Sequence, residues 1–115
     1  VSEAVINGEI TYGVLICGTG IGMSIMANKY KGIRCAKVDN AMEARLCKEH
    51  NDANVISFSA NVLYLEAKDM IDSFLNASFL EGDHLRRVNK ILDLETFSCL
   101  NSKSDSKSKD KKSKE

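Results

Sequence analysis

The chain has 115 residues, 43% of them hydrophobic and none of them proline or tryptophan, which suits one modest domain and is too short for two. Its 16 basic and 16 acidic residues cancel; six lysines between Lys103 and Glu115 face only Asp105, Asp110 and Glu115, the body is slightly acidic, and neither part offers a nucleic-acid surface. No apolar run reaches membrane-spanning length, no signal peptide opens the chain, and Cys17, Cys35, Cys47 and Cys99 show no CxxC or compact disulfide spacing, the usage expected of reduced thiols in a cytoplasmic protein.

Val1 to Gly8 reads as the last turn of a helix, closed at Asn7-Gly8 by a glycine in the left-handed region. A strand follows from Tyr12 to Cys17, and its Val14-Leu15-Ile16 run has the character of a strand buried on both faces. Gly18, Gly20 and Gly22 then turn the chain into a helix from Met23 to Lys31, which Gly32 stops. Ile33 to Val38 is a second strand. Asp39-Asn40 caps a helix from Ala41 to Glu49, expected to turn Met42, Leu46, Ala41 and Arg45 inward, and His50-Asn51-Asp52 ends it. A third strand, Asn54 to Ser59, leads to a helix from Leu63 to Asn76 with Leu63, Ala67, Met70, Ile71, Phe74 and Leu75 at helical spacing. Phe79 to Gly82 connects it to a last helix, Asp83 to about Phe97, carrying Leu85, Val88, Ile91, Leu92 and Leu94. Residues 1–100 are thus one domain, and 101–115 form a lysine and serine tract expected to be disordered.

Strand and amphipathic helix alternate three times, which predicts a three-layer, Rossmann-like α/β fold: a parallel sheet of flavodoxin-like order with helices on both faces. Ligands of such sheets sit beyond the carboxyl ends of the strands, where Cys17, Asp39 and Ser59 fall. A strand turning through glycines into a helix points several backbone N–H groups outward, and this turn is a place to hold an anion. Cys17 stands at its mouth, so its thiolate faces those donors and its pKa is expected to be lowered. The plain alternative for Cys17 is a small buried residue at a strand end.

Other motifs compete less well. Gly18-x-Gly20-x-Gly22 followed by Met23 is out of register for GxGxxG, although Asp39 stands at about the right distance for a ribose-binding acid. No Gly-Lys-Ser/Thr follows the glycines, which excludes a P-loop. His50, by itself a histidine favoured at a helix end, gains interest from the polar run His50-Asn51-Asp52-Ala53-Asn54, whose members equally suit a turn. His84, Arg86 and Arg87 open the last helix in a way that suits either a phosphate or a solvated basic face.

The run from Gly13 to Arg34, together with Ala44-Arg45, Glu49 to Val55 and Phe79 to Val88, resembles type B ribose-5-phosphate isomerase and its relative galactose-6-phosphate isomerase over roughly residues 1 to 95. The resemblance implies an aldose–ketose isomerase of the pentose phosphate pathway, working on ribose 5-phosphate and ribulose 5-phosphate through an enediolate. It implies Cys17 as the general base between C1 and C2, with Gly18, Thr19, Gly20, Ile21 and Gly22 supplying N–H donors and Thr19 also its hydroxyl. His50 would open the sugar ring, Asn51 would bind substrate, and Arg87 with His84 would hold the phosphate, in a homodimer whose sites are shared between subunits. Such proton transfer requires no metal and no cofactor, since backbone donors can hold the charge of an enediolate. A six-carbon substrate, galactose 6-phosphate or allose 6-phosphate, and a non-catalytic sugar-phosphate-binding or assembly role are the alternatives. The departures are the family's leading strands, absent before Val1, and Asn61 and Asp83 at positions where the family commonly has arginine. Without those strands the edge of Tyr12 to Cys17 is expected to be open.

Overall fold

The last strand in sequence is the middle one in space. The computed structural model describes the backbone of residues 1–105 and the side chains of residues 1–96, in the order α1 (Ser2–Ile6), β1 (Gly13–Cys17), α2 (Ile21–Ala27), β2 (Cys35–Lys37), α3 (Ala41–Asn51), β3 (Val55–Ser59), α4 (Tyr64–Asn76) and α5 (Asp83–Asp105). The strands form one parallel sheet of order β1-β3-β2, with Gly13 beside Val55 and Cys17 beside Ser59 on one flank of β3, and Cys35 beside Val55 on the other. The α/β class and the parallel sheet are as expected. The strand order is not, because a flavodoxin-like order would run β1-β2-β3. The connection through α2 instead passes over the place that β3 fills.

A central strand has no exposed face, and Val55, Ile56, Ser57 and Phe58 are all buried. On one face Ile56 and Phe58 pack with Val38, Ala44, Cys47, Ala53, Met70 and Phe74, the layer of α3 and α4. On the other, Val55 packs with Ala27 and Ile33, flanked by Val5 and Leu15, the layer of α1 and α2. Three layers result. β1 lies at one edge of the described sheet, and Ile16 there is 52% exposed. The β2 edge is closed locally by a side chain: Asn28 donates to the Cys35 carbonyl at 2.9 Å and accepts from the Cys35 N–H at 2.8 Å. This pairing accounts for the early end of α2, which stops at Ala27 rather than Lys31.

Helix α3 turns a different face inward from the one expected. Ala44, Cys47 and Lys48 are buried, while Met42 is 60% exposed and Arg45 pairs with Glu49 on the surface at 3.0 Å. The inward lysine hides the periodicity. Lys48 Nζ donates to the Phe74 carbonyl at 3.1 Å, near the end of α4, and lies 3.9 Å from the centre of the Tyr12 ring, so its charge is satisfied and its stem fills core space. In α4, Met70 and Phe74 are the buried positions, and the ends Leu63 and Leu75 are exposed.

Helix α5 begins at Asp83 as expected, and its backbone continues to Asp105. The expected tail therefore begins inside α5, and residues 106–115 lie outside the described residues. Of its apolar side chains within the described part, Val88 is buried, whereas Leu85, Ile91, Leu92 and Leu94 keep 36–64% of their surface. Most of that face is uncovered.

The inward face of α3 is directly testable by urea unfolding. Ala44→Leu forces a larger side chain into a site with no exposed surface and is expected to cost about 1–3 kcal/mol. Met42→Gln, on the outward face, is expected to stay within about 0.5 kcal/mol.

Candidate active site

The glycine turn forms because its residues satisfy three local demands. Gly20 sits at φ +84, and a Cβ there would lie 2.8 Å from the backbone of Phe58, so only glycine lets the loop rest directly on β3. Cys17 ends β1 with its carbonyl taken by the Ala60 N–H at 2.8 Å, which leaves the thiol facing the loop. The Thr19 hydroxyl oxygen accepts the Ile21 N–H at 3.1 Å, which fixes the side chain and leaves its own hydrogen free to donate.

Cys17 Sγ accepts the Gly20 N–H at 3.2 Å. The Met23 amide above all, with those of Gly20, Thr19 and Gly22, holds its pKa below the ordinary thiol value, against desolvation, which ranks second to Met23 and raises it. Since α2 has only seven residues, the individual amides rather than a long helix dipole stabilise the thiolate. Cys35 and Cys47 behave oppositely. Burial raises both, Cys47 to about 11. The structure thus separates one thiol held below its ordinary pKa from two held above it, and all three are free.

The remaining predicted residues assemble elsewhere. His50 lies in the last turn of α3, and its ring stacks on that of His84 with centroids 4.3 Å apart and planes 10° from parallel. Arg87 Nη2 donates to His84 Nδ1 at 2.8 Å. The Leu80 N–H bonds the Glu49 carbonyl at 3.0 Å, and Glu81 and Gly82, both at positive φ, turn the chain so that the first turn of α5 meets the end of α3. Asn51 lines a cleft of about 380 Å³ with Asn28, Arg34, Ile91 and Glu95 among its walls.

Chain direction sets the two groups apart. Cys17, Gly18, Thr19, Gly20, Ile21 and Gly22 stand at the carboxyl ends of the parallel strands. Helix α3 returns antiparallel to them, so His50 and Asn51 stand at the amino ends, beside Asn54, whose carbonyl accepts from Gly13 at 3.0 Å and whose side chain accepts from Arg34 at 2.8 Å. The five residues of β3 separate the groups by about 13 Å along the strands. His50, His84 and Arg87 form one cluster, Cys17 and its loop another, and a single chain does not bring them together.

At the thiol end Ser59, expected there as a strand-end residue, is joined by Ser57, which motif reading passed over. Ser57 and Ser59 alternate with Phe58, and their hydroxyls donate to the carbonyls of Gly20 and Gly18 at 2.7 and 2.8 Å. Polar residues two apart in a central strand share a face and need partners there. Asn61 and Asp83 lie apart: the Asn61 N–H bonds Ser59 Oγ at 3.0 Å, and Asp83 faces Arg86 at 3.9 Å. Among the described residues no three His, Cys, Asp or Glu side chains are grouped to hold a metal, and no helix is long and apolar enough to cross a membrane.

The Ribose/Galactose Isomerase family profile matches residues 1–91. Ribose-5-phosphate isomerase B of Escherichia coli is 45% identical over 96 residues, which cover 83% of this chain and 64% of that protein. The ribose-5-phosphate isomerase B structure from Clostridium thermocellum superposes with a TM-score of 0.81 at 46% identity, over 85% of this chain and 67% of that one. Relatives at 41% and 39% identity bear the names D-erythrulose-4-phosphate isomerase (Pectobacterium atrosepticum) and galactose-6-phosphate isomerase subunit LacB (Clostridium acetobutylicum). The chain spans less than two thirds of the length of these curated relatives.

Alkylation with iodoacetamide, read by peptide mapping, tests the thiol assignment. Cys17 is expected to label first at neutral pH, and Cys47 only as pH approaches 11. Because folding raises the Cys47 pKa from 9.0, its contribution to stability is complete below pH 9 and is lost as pH climbs through about 11. Cys47→Ala removes that alkaline loss in a urea titration.

Proposed function

This chain belongs to the ribose/galactose isomerase family, and from that premise we propose that it carries the proton-transfer machinery of an aldose–ketose isomerase for phosphorylated sugars, with ribose 5-phosphate and ribulose 5-phosphate as the pair. The observation that carries the reading is a thiol held toward its ionised form beside a set of backbone amides.

In the proposed step the Cys17 thiolate takes the proton from C2 of the open-chain aldose. The electron pair of that bond moves into C1–C2, and the carbonyl π pair moves onto O1 as an enediolate. The amides of Gly18, Thr19, Gly20 and Gly22 and the free hydrogen of Thr19 Oγ1 stabilise that oxygen, in the manner of an oxyanion hole, while the Ile21 N–H, expected among these donors, stays on Thr19 Oγ1. The Cys17 thiol then returns the proton to C1 while the O2 proton passes to O1, which leaves a ketone at C2. Atoms and electrons balance without a redox partner, since C2 is oxidised as C1 is reduced within one molecule. A lowered thiol pKa suits a base at neutral pH.

His50, as the group that opens the sugar ring, and Asn51, His84 and Arg87, as substrate and phosphate ligands, work in this reading on the Cys17 of a second copy. Two findings support a homodimer with shared sites. Within one chain the two clusters stand at opposite ends of the sheet, and the apolar face of α5 at Leu85, Ile91, Leu92 and Leu94 is uncovered. Free thiols support a cytoplasmic setting. A longer substrate is the second reading, favoured by the relative named for galactose 6-phosphate.

Cys17→Ala is expected to lower kcat about a thousandfold with KM little changed, and Thr19→Ala about tenfold to a hundredfold. Ketose formation from ribose 5-phosphate and from galactose 6-phosphate measures both the reaction and the choice of substrate. Full turnover by Cys17→Ala would remove the assignment.

A further inference from the structure

The turn between β1 and α2, Gly18-Thr19-Gly20, has little rigidity of its own, because two of its three residues are glycine. Its shape must be imposed from outside. The backbone of β3 lies against it, with Gly20 in contact with Phe58 and the side chains on either side of Phe58 reaching into it.

We infer that Ser57 and Ser59 are positioning residues for the proton transfer: two hydroxyl latches that pull the carbonyls of Gly20 and Gly18 down onto β3 and so turn the loop's amides toward Cys17 and the reacting oxygen. The geometry follows from the peptide unit. In a trans peptide the C=O and N–H point in opposite directions, and no peptide bond described here is cis. Drawing the Gly18 carbonyl onto Ser59 therefore turns the Thr19 N–H away from the sheet, to the side where it acts on the Cys17 thiol. Drawing the Gly20 carbonyl onto Ser57 turns the Ile21 N–H toward Thr19 Oγ1, which it reaches at 3.1 Å and thereby orients.

Several features fit a latch better than two polar residues that merely find partners. A strand buried on both faces is normally filled with Val, Ile or Leu, yet this one carries serine twice on the same face. Ser57 has no exposed surface, and its bond to Gly20 at 2.7 Å joins residues 37 apart in sequence. Ser59 accepts the Asn61 N–H at 3.0 Å, which leaves its own hydrogen for the Gly18 carbonyl. Both bonds end on the loop's alternate carbonyls, and none is spent on β3 itself. A loop free to rotate those two peptides would lose the convergence of donors that the chemistry uses, and a small misplacement costs much in such a site.

The kinetic part of this inference rests on the proposed isomerase reading; the thiol part does not. The variants are Ser59→Ala, Ser57→Ala and Ser59→Thr, each checked for native circular dichroism. The readouts are the pH profile of iodoacetamide alkylation at Cys17, by peptide mapping, and kcat and KM for ribose 5-phosphate. Both alanine variants are expected to move the alkylation midpoint up by about half a unit to one unit, and to lower kcat roughly tenfold with KM nearly unchanged. Ser59→Thr, which keeps the hydroxyl, is expected to keep the wild-type midpoint. Folded alanine variants with an unmoved midpoint, or a threonine variant that behaves like alanine, would overturn the inference. Should Ser57→Ala fail to fold, the Ser59 pair decides alone. A shifted midpoint in a protein without turnover keeps the latches and removes the isomerase reading, whereas an unmoved midpoint with normal turnover does the reverse.

Discussion

A parallel sheet with helical crossovers has two chemically different ends, and the position of every functional group in this protein follows from which end it occupies. Strands deliver their last residues to one end, where loops turn into helices and backbone N–H groups are free. Helices carry the chain back and deliver their last residues to the other. Cys17 is a strand-end residue, and His50 is a helix-end residue. No side-chain rearrangement brings them together, since the whole length of β3 lies between.

That separation gives the two clusters distinct surroundings. At the strand ends, Gly20 is pressed against the backbone of Phe58, and amides converge on a sulfur that they keep toward its charged form. At the helix ends, two stacked imidazoles and the Arg87 guanidinium gather into one cluster, and the Leu80 to Glu49 main-chain bond holds the two helices together there. In the proposed reading the first serves developing negative charge on a small oxygen, and the second a phosphate. Between them runs a core held by Ile56, Phe58, Met70 and Phe74 on one face, with Lys48 tying the end of α4 to Tyr12. An uncovered apolar face of α5 adjoins the histidine and arginine cluster, because His84 and Leu85 share its first turn.

Much of this was legible in the sequence. The Val14-Leu15-Ile16 run, the three alternating glycines and the β-α alternation gave the strands, the turn and the fold class, because apolar runs and left-handed turns leave strong local marks, although β1 is an edge strand with Ile16 exposed rather than one buried on both faces. The lowered pKa of Cys17 was legible from the glycine turn that follows it. Strand order was not, since nothing local in Cys35–Lys37 or Val55–Ser59 tells which strand takes the centre, apart from the fuller burial that β3 acquires only after assembly. The inward face of α3 was misread because Lys48 looks solvent-facing until Phe74 and Tyr12 are placed around it. Ser59 was legible as a strand-end residue, but its bond to the loop and the part played by Ser57 were not, because their partners, Gly18 and Gly20, lie far away in sequence. The arrangement of His50, Asn51, His84 and Arg87 relative to Cys17 depends on chain direction, which a linear motif does not express.

A mixing experiment bears most directly on the claim that two chains complete each site. Cys17→Ala and His50→Ala chains are each purified, unfolded, refolded together in equal amounts and assayed for ribulose 5-phosphate formation. If the two clusters meet across a dimer interface, half of the dimers are mixed and each holds one intact site, so activity returns to about a quarter of the wild-type chain's. If mixing folded, dimeric variants restores nothing beyond the sum of the two alone, the sites are not shared and the account fails.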